Sequence, residues 1–322
     1  MLARLLFTIN LAAGVTVGLG AGLGVGGPSV AFAEDADAYY KQGLAYKAEG
    51  KSDQAIEALE RAVAANPKHY MAWASLGNLY KTVKKDIPKA VGAYEHAVEG
   101  LKKDKVVWEN LGTAYFRNNQ VDQALKALST ASSLDPNDAE IRFNLGTVRR
   151  QKHDYAGAVA DLEVAVKLKP DDAQYANNLG VAYRFAKRDE DAIKAFQKAI
   201  ALAPDDASFH FNLAVAYRRQ TAKNPDVIPQ AIAEYEKATT LDPINADGWW
   251  DLGLMYKEDH QNAKAIAAFQ KYLDLNKGKD KGGEKRAEDE IGALGGTVKD
   301  PKAKGAGDKA PKGTAKKAAP KK

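Results

Sequence analysis

Apolar residues recur along most of this chain at the spacing of one helix face, and the faces come in pairs. In residues 173–206, Ala176, Leu179, Gly180 and Tyr183 fall at i, i+3, i+4 and i+7. After a short polar break, Ala192, Ile193, Phe196, Ala199 and Ile200 form a second stripe of the same kind. That periodicity predicts two amphipathic helices per unit. Pro204 stops the second helix, as Pro67, Pro136, Pro170 and Pro243 do elsewhere.

The pair repeats. Gly43, Gly77, Gly112, Gly146, Gly180, Ala214 and Gly253 are separated by 34, 35, 34, 34, 34 and 39 residues, and Ala55, Ala90, Ala124, Ala158, Ala192, Ala231 and Ala265 keep the same beat. The units run 36–69, 70–104, 105–138, 139–172, 173–206, 207–245 and 246–279 without linkers. A mid-helix glycine costs about 1 kcal/mol relative to alanine, so its recurrence implies close helix packing. A fixed period of this length predicts stacked supersecondary units with a long repeated surface.

The residues Trp73, Leu76, Gly77, Tyr80, Ala90, Tyr94 and Ala97 resemble the tetratricopeptide repeat (TPR) motif. Trp108, Leu111, Gly112, Tyr115, Ala124, Leu128, Ala131 and Pro136 repeat it, as do Trp249, Leu252, Gly253, Tyr256, Ala265 and Phe269. The resemblance implies an all-α, right-handed superhelical solenoid of about seven units, with each unit's first helix on the concave side. Unit two carries one extra residue and unit six five extra, around Lys223–Ile228; both insertions read as exposed loops, a functional loop at 219–229 being the alternative. Arg149 replaces the usual Tyr, and Tyr272 a small residue.

The flanks differ in composition. Residues 5–33 are uncharged and end in the A-x-A pattern Ala31-Phe32-Ala33, which predicts a cleaved secretory signal over 1–33 and hence a periplasmic protein. An uncleaved membrane anchor is the alternative, since the stretch is long enough to span and holds overlapping G-x-x-x-G spacings. Glu284–Leu294 reads as a helix capping the solenoid, within a capping segment at 280–297, after a break over Gly278–Gly283. Residues 298–322 contain nine Lys and two Asp among Ala, Gly and Pro and are expected to be disordered. Their net charge of +7 exceeds the +5 of the whole chain, so the repeats themselves are slightly acidic. Such a tail either meets an acidic envelope polymer or lipid surface or simply keeps the chain soluble. Export argues against nucleic acid.

Nothing points to catalysis. There is no cysteine, which excludes lipidation at cysteine, disulfides and thiol chemistry. His69, His96, His153, His210 and His260 lie in five units without metal-ligand spacing, and no cofactor motif occurs. The paired aspartates around Asp172 and Asp206 follow prolines at unit boundaries and are expected to cap the next helix.

The candidate site is the groove. Asn110, Asn144, Asn178 and Asn212 stand two residues before the anchoring small residue in four consecutive units. An amide offers donors and an acceptor and can pair with a peptide backbone without reading side chains. Similar asparagine ladders line O-GlcNAc transferases and kinesin light chains. Six residues further on come Arg150, Arg184 and Arg218, with Arg117 and Arg219 one place later; against Glu109 and Glu140 these arginines leave a net +3. Phe143, Phe211 and Trp250 occupy one row and supply apolar anchors. The family's carboxylate clamp is absent, because Ala74, Asn78 and Asn110 are followed by Glu140 where it needs a lysine. The expected function is a non-catalytic envelope scaffold holding an extended protein or peptide segment with acidic and apolar residues, in a machine such as motility, secretion or polysaccharide export. Binding of an anionic envelope polymer through the arginine rows and lysine tail is the alternative.

Overall fold

A computed structural model describes the backbone of residues 28–298 and the side chains of 35–298. The tail after Val298 and most of the expected signal lie outside these residues; α1 begins at Pro28, upstream of the expected cleavage point after Ala33. Among the described residues there are fifteen α-helices and no strand. First helices of successive units are α1 (Pro28–Ala48), α3 (Tyr70–Leu79), α5 (Lys105–Arg117), α7 (Ala139–Gln151), α9 (Ala173–Phe185), α11 (Ala207–Arg218) and α13 (Ala246–Glu258). Their partners are α2 (Ser52–Ala65), α4 (Ile87–Gly100), α6 (Val121–Leu134), α8 (Tyr155–Leu168), α10 (Asp189–Leu202), α12 (Ile228–Leu241) and α14 (Asn262–Asn276), and α15 (Lys281–Ala293) closes the array.

The small residues set the pairing distance. A Cβ built on Gly180 would lie 2.6 Å from the Phe196 ring, on Gly112 2.6 Å from Leu128, and on Gly253 2.6 Å from Phe269. Second helices then pack on the next unit's first helix: Leu128 of α6 joins Leu145 and Val148 of α7, and Phe196 of α10 joins Leu213 and Ala216 of α11. The core is therefore a chain of small clusters along the array, as expected of a solenoid. α5 approaches α7, α7 approaches α9, and α9 approaches α11, so the first helices crowd the inside of the curve.

Polar side chains reinforce each joint. Tyr115 donates to Glu95 at 2.6 Å and Tyr183 to Glu163 at 2.7 Å, tying a first helix to the preceding second helix. Unit four breaks this ladder: Arg149 stands for the tyrosine and Ser129 for the glutamate. Arg149 turns instead to Asp161 in its own unit, at 3.3 Å, and Arg142 reaches the same buried carboxylate at 2.8 Å. Arg142 also donates to the carbonyl of Pro136, the duty that the indole of Trp249 performs toward Pro243.

Both insertions lie largely at the surface, as expected, but each is partly wound into helix. The extra residue of unit two is absorbed in a π-helical turn, Tyr80–Lys84, that continues α3. That of unit six forms a turn and a short 3-10 helix, Pro225–Val227, anchored by buried Thr221, Val227 and Ile228. The break expected over Gly278–Gly283 is also shorter, because Asp280 caps α15 by accepting from Gly282 N at 3.0 Å. Gly283 lies inside the first turn of α15, where any Cβ would collide with the Tyr272 hydroxyl. The bulky Tyr272 of α14 and the glycine of α15 thus fit each other.

Candidate functional site

The predicted site residues lie on α5, α7, α9, α11 and α13, the helices of the inner face, with Arg219 as the C-cap of α11. All four asparagines are half-buried. Asn144 donates Nδ2 to Glu109 at 3.0 Å, Asn178 to the Gln174 carbonyl at 2.9 Å, and Asn212 to Asn177 at 3.0 Å. In each of these three, the amide nitrogen is used and the carbonyl oxygen has no partner among the described residues. Asn110 is the reverse, its oxygen accepting from Lys81.

That last contact reveals how the rows interlock. A basic side chain near the end of one first helix meets the asparagine position of the next. Arg218 approaches Asp251 at 3.5 Å, and Lys257 is bonded to Glu290 of α15 at 2.6 Å, so the capping helix completes the register. Lys81, Arg218 and Lys257 therefore have partners. Arg219 is likewise paired, with Asp189 at 3.0 Å. The net charge read from the sequence overstates the available charge, because Asp251 and Asp189 neutralise two of the five arginines.

In the middle the picture is different. Among the described residues, the side chains of Arg150 and Arg184 have no ion pair and no hydrogen-bond partner; Arg184 lies over the Phe185 ring, its guanidinium carbon 5.3 Å from the centroid. The Nε atoms of Arg150, Arg184 and Arg218 are all buried and unbonded. Burial pulls the Arg150 and Arg184 pKa values below the ordinary arginine value, and Arg219, Arg150 and Arg218 push Arg184 further the same way. An unpaired buried donor costs about 1–3 kcal/mol, and more when charged. Arg117 is exposed.

The other side of the groove is acidic. Burial raises the Glu109 carboxyl to about 7, helped by Glu140 and Asp138 and opposed by the Asn144 hydrogen bond and Lys81. The aromatic row is largely occupied in packing. Phe143 stacks on Tyr175 at 4.5 Å, Phe211 meets Tyr235 edge-on at 5.7 Å, and Trp250 leans on Phe269 at 5.2 Å. All three rings are half-buried, so each offers only part of its surface.

Outside the groove, the histidines serve the fold. His69 accepts from Ala72 N as a helix cap, His96 stacks on Trp73, and His210 bridges the Pro204 carbonyl and Glu234. His153 and His260 hold left-handed backbone at the turn between paired helices, with φ of 61° and 59°. Asp172 and Asp206 cap α9 and α11. Sequence reasoning missed the interlock of cation and amide rows; the signal that carries it is repeat position, four residues after one anchoring small residue and two before the next, which Lys81 with Asn110 shares with Arg218 and Asp251.

The model of the cilia and flagella-associated protein 70 C-terminal domain matches residues 21–242, and a tetratricopeptide repeat model matches residues 228–280. The chain belongs to the TPR family. Among solved structures it is similar to the C-terminal part of a TPR repeat-containing protein from Cytophaga hutchinsonii, at 19% identity over 78% of this chain and 99% of that one, with TM-score 0.61. A TPR protein from Parabacteroides merdae is 17% identical over 81% of this chain and 99% of its own, with TM-score 0.56. YrrB, described as a TPR protein with an unusual peptide-binding site, is 21% identical over 62% of this chain and 99% of its own, with TM-score 0.51. At such identities these neighbours show the shared TPR fold. No curated protein sequence matches the chain.

Proposed function

We propose that this TPR protein is a non-catalytic scaffold of the cell envelope that holds an extended segment of a partner protein along the inner faces of α5 to α13. One observation carries the reading: in three consecutive units the inner face offers an amide carbonyl with no partner among the described residues, beside guanidinium groups of which two have no counter-ion among them. The carbonyls suit the N–H groups of an extended backbone, and the guanidinium groups suit carboxylates. The exposed part of Phe143, Phe211 and Trp250 suits apolar side chains. The peptide-binding site named for YrrB, a structural neighbour, is consistent with such a groove.

Export is part of the proposal and rests on the uncharged leader and its A-x-A end. Mass spectrometry of the chain from fractionated cells is expected to find an N-terminus at Glu34 in the soluble envelope fraction; a full-length chain in the membrane fraction speaks for an anchor. To test binding, immobilised chain and its Asn144→Ala/Asn178→Ala/Asn212→Ala variant are exposed to envelope extract. A species held by the parent and released by a variant of unchanged helicity and melting supports the groove. Equal capture by both contradicts it.

The second reading, an anionic envelope polymer, draws on the +7 tail as well as the arginines. Deleting residues 299–322 separates the two. Binding of a protein partner is expected to persist, whereas polymer binding and its salt dependence fall sharply when tail lysines are lost.

A further inference from the structure

The Arg150, Arg184 and Arg218 side chains repeat at one position of three successive first helices, each with a buried, unbonded Nε. Arginines late in a helix complement its dipole, but they do that from solvent and need no burial. Here the cations are partly withdrawn from water and crowd one another, and for two of them no anion among the described residues lies within reach of an ion pair. Three other members of the same row have partners, Lys81 at Asn110, Arg218 at Asp251 and Lys257 at Glu290 of α15. At the equivalent places beside Arg150 and Arg184 stand Asn178 and Asn212, whose amides turn to other protein groups. The folded chain thus holds two adjacent cations whose neutralisation has been left to something else.

Spacing narrows what that is. Arg150 and Arg184 sit on α7 and α9, which approach each other, and helices in contact stand about 8–10 Å apart. A polyproline II segment rises about 3.1 Å per residue with about three residues per turn, so its every third side chain falls on one face about 9 Å further along. Such a segment makes no internal hydrogen bonds, and its N–H groups are free for the carbonyls of Asn144, Asn178 and Asn212. Resting on the peptide-groove reading above, we propose that the guest carries acidic residues three apart in an extended, polyproline-like run, with one carboxylate on Arg150 and the next on Arg184. The partner is a protein segment of that pattern, and the amide row sets its register.

The test uses the full chain and fluorescence anisotropy with labelled short peptides. One repeats Glu-Ala-Pro; a second permutes the same residues so that its glutamates are contiguous; a third replaces glutamate by glutamine. The spaced peptide is expected to bind about tenfold tighter than the permuted one, a difference of about 1.4 kcal/mol. The Arg150→Gln/Arg184→Gln variant, checked for parental helicity and melting, is expected to erase that preference. Arg150→Lys/Arg184→Lys is expected to restore charge attraction without full affinity, because lysine cannot fork. Equal binding of both acidic peptides overturns the spacing while leaving an acidic groove. Equal binding of the glutamine peptide, weakened by the three Asn→Ala changes, overturns the carboxylate assignment while leaving the groove itself. Binding of none of the three peptides, with tight binding of polyphosphate instead, overturns the protein guest in favour of a polymer. The peptide comparison on the parent chain stands even where a variant does not fold.

Discussion

Replacing Gly180 by alanine sets two effects of known sign against each other. Removing a glycine from the interior of α9 favours the helix by about 1 kcal/mol. The new methyl, however, would lie 2.6 and 2.7 Å from two carbons of the Phe196 ring, where ordinary carbon contacts are about 3.5–4.0 Å. The ring must retreat by about 1 Å, and Leu213 and Ala216 already fill that space. Overpacking of this kind costs about 1–3 kcal/mol, so the net expectation is a loss of about 0–2 kcal/mol. The sharper expectation is a reversal. Phe196→Ala alone loses about 3–5 kcal/mol; in that background Gly180→Ala meets no ring and gains about 1 kcal/mol, a coupling of about 1–3 kcal/mol between the two positions. Urea denaturation of the four chains, followed by circular dichroism and by hydrogen exchange of the α9 and α10 amides, measures it. The exchange readout matters because a repeat array need not unfold in one step. Gly180→Ala raising stability equally in both backgrounds refutes the close-approach account of the repeated small residues. Gly180→Leu, with still more volume to place, is expected to lose several kcal/mol.

Other expectations follow from single contacts. Glu109 has a folded pKa of about 7, above its unfolded value, so its contribution favours folding at low pH and is lost as pH rises through 7. Melting of the parent is expected to fall between pH 5 and pH 8 more than that of Glu109→Gln; parallel curves contradict the assignment. Asp161→Ala removes the shared counter-ion of Arg142 and Arg149 and is expected to cost about 3 kcal/mol in urea denaturation, with an unchanged midpoint as the contrary result. Gly283→Val is expected to detach α15 from Tyr272 and speed amide exchange in α15 while α5 to α9 keep their protection; unaltered exchange in α15 sinks that fit.

The architecture was legible because the repeated glycines and alanines report a distance of approach, and only stacked helix pairs ask for that distance at such a period. Local irregularities were less so. One extra residue in unit two reads equally as a longer loop or a wider helical turn, and only backbone geometry shows that Tyr80–Lys84 takes the second course. Gly282 and Gly283 look like helix breakers by propensity, yet packing against Tyr272 and the Asp280 cap outweigh a cost of about 1 kcal/mol each. In the groove, residue types and positions were visible in the sequence, but the state of each charge was not. Asp251 stands where the four preceding first helices carry asparagine, and Asp189 opens the second helix α10. Neither reads as a counter-ion until the helices are stacked. Which end of each amide the protein uses is likewise a matter of three-dimensional partners.

The central claim is that the inner face of the first helices receives the partner. A photo-crosslinking amino acid placed at Gln174, exposed on α9 one turn before Asn178, samples that face; the same residue at Lys198, exposed on α10, samples the outer layer. Irradiation of cells carrying either chain should yield a discrete crosslinked species from position 174 and none from 198, and the species should vanish when Arg150 and Arg184 are changed to Gln. Adducts formed only from position 198, or identically from both positions, would contradict the account.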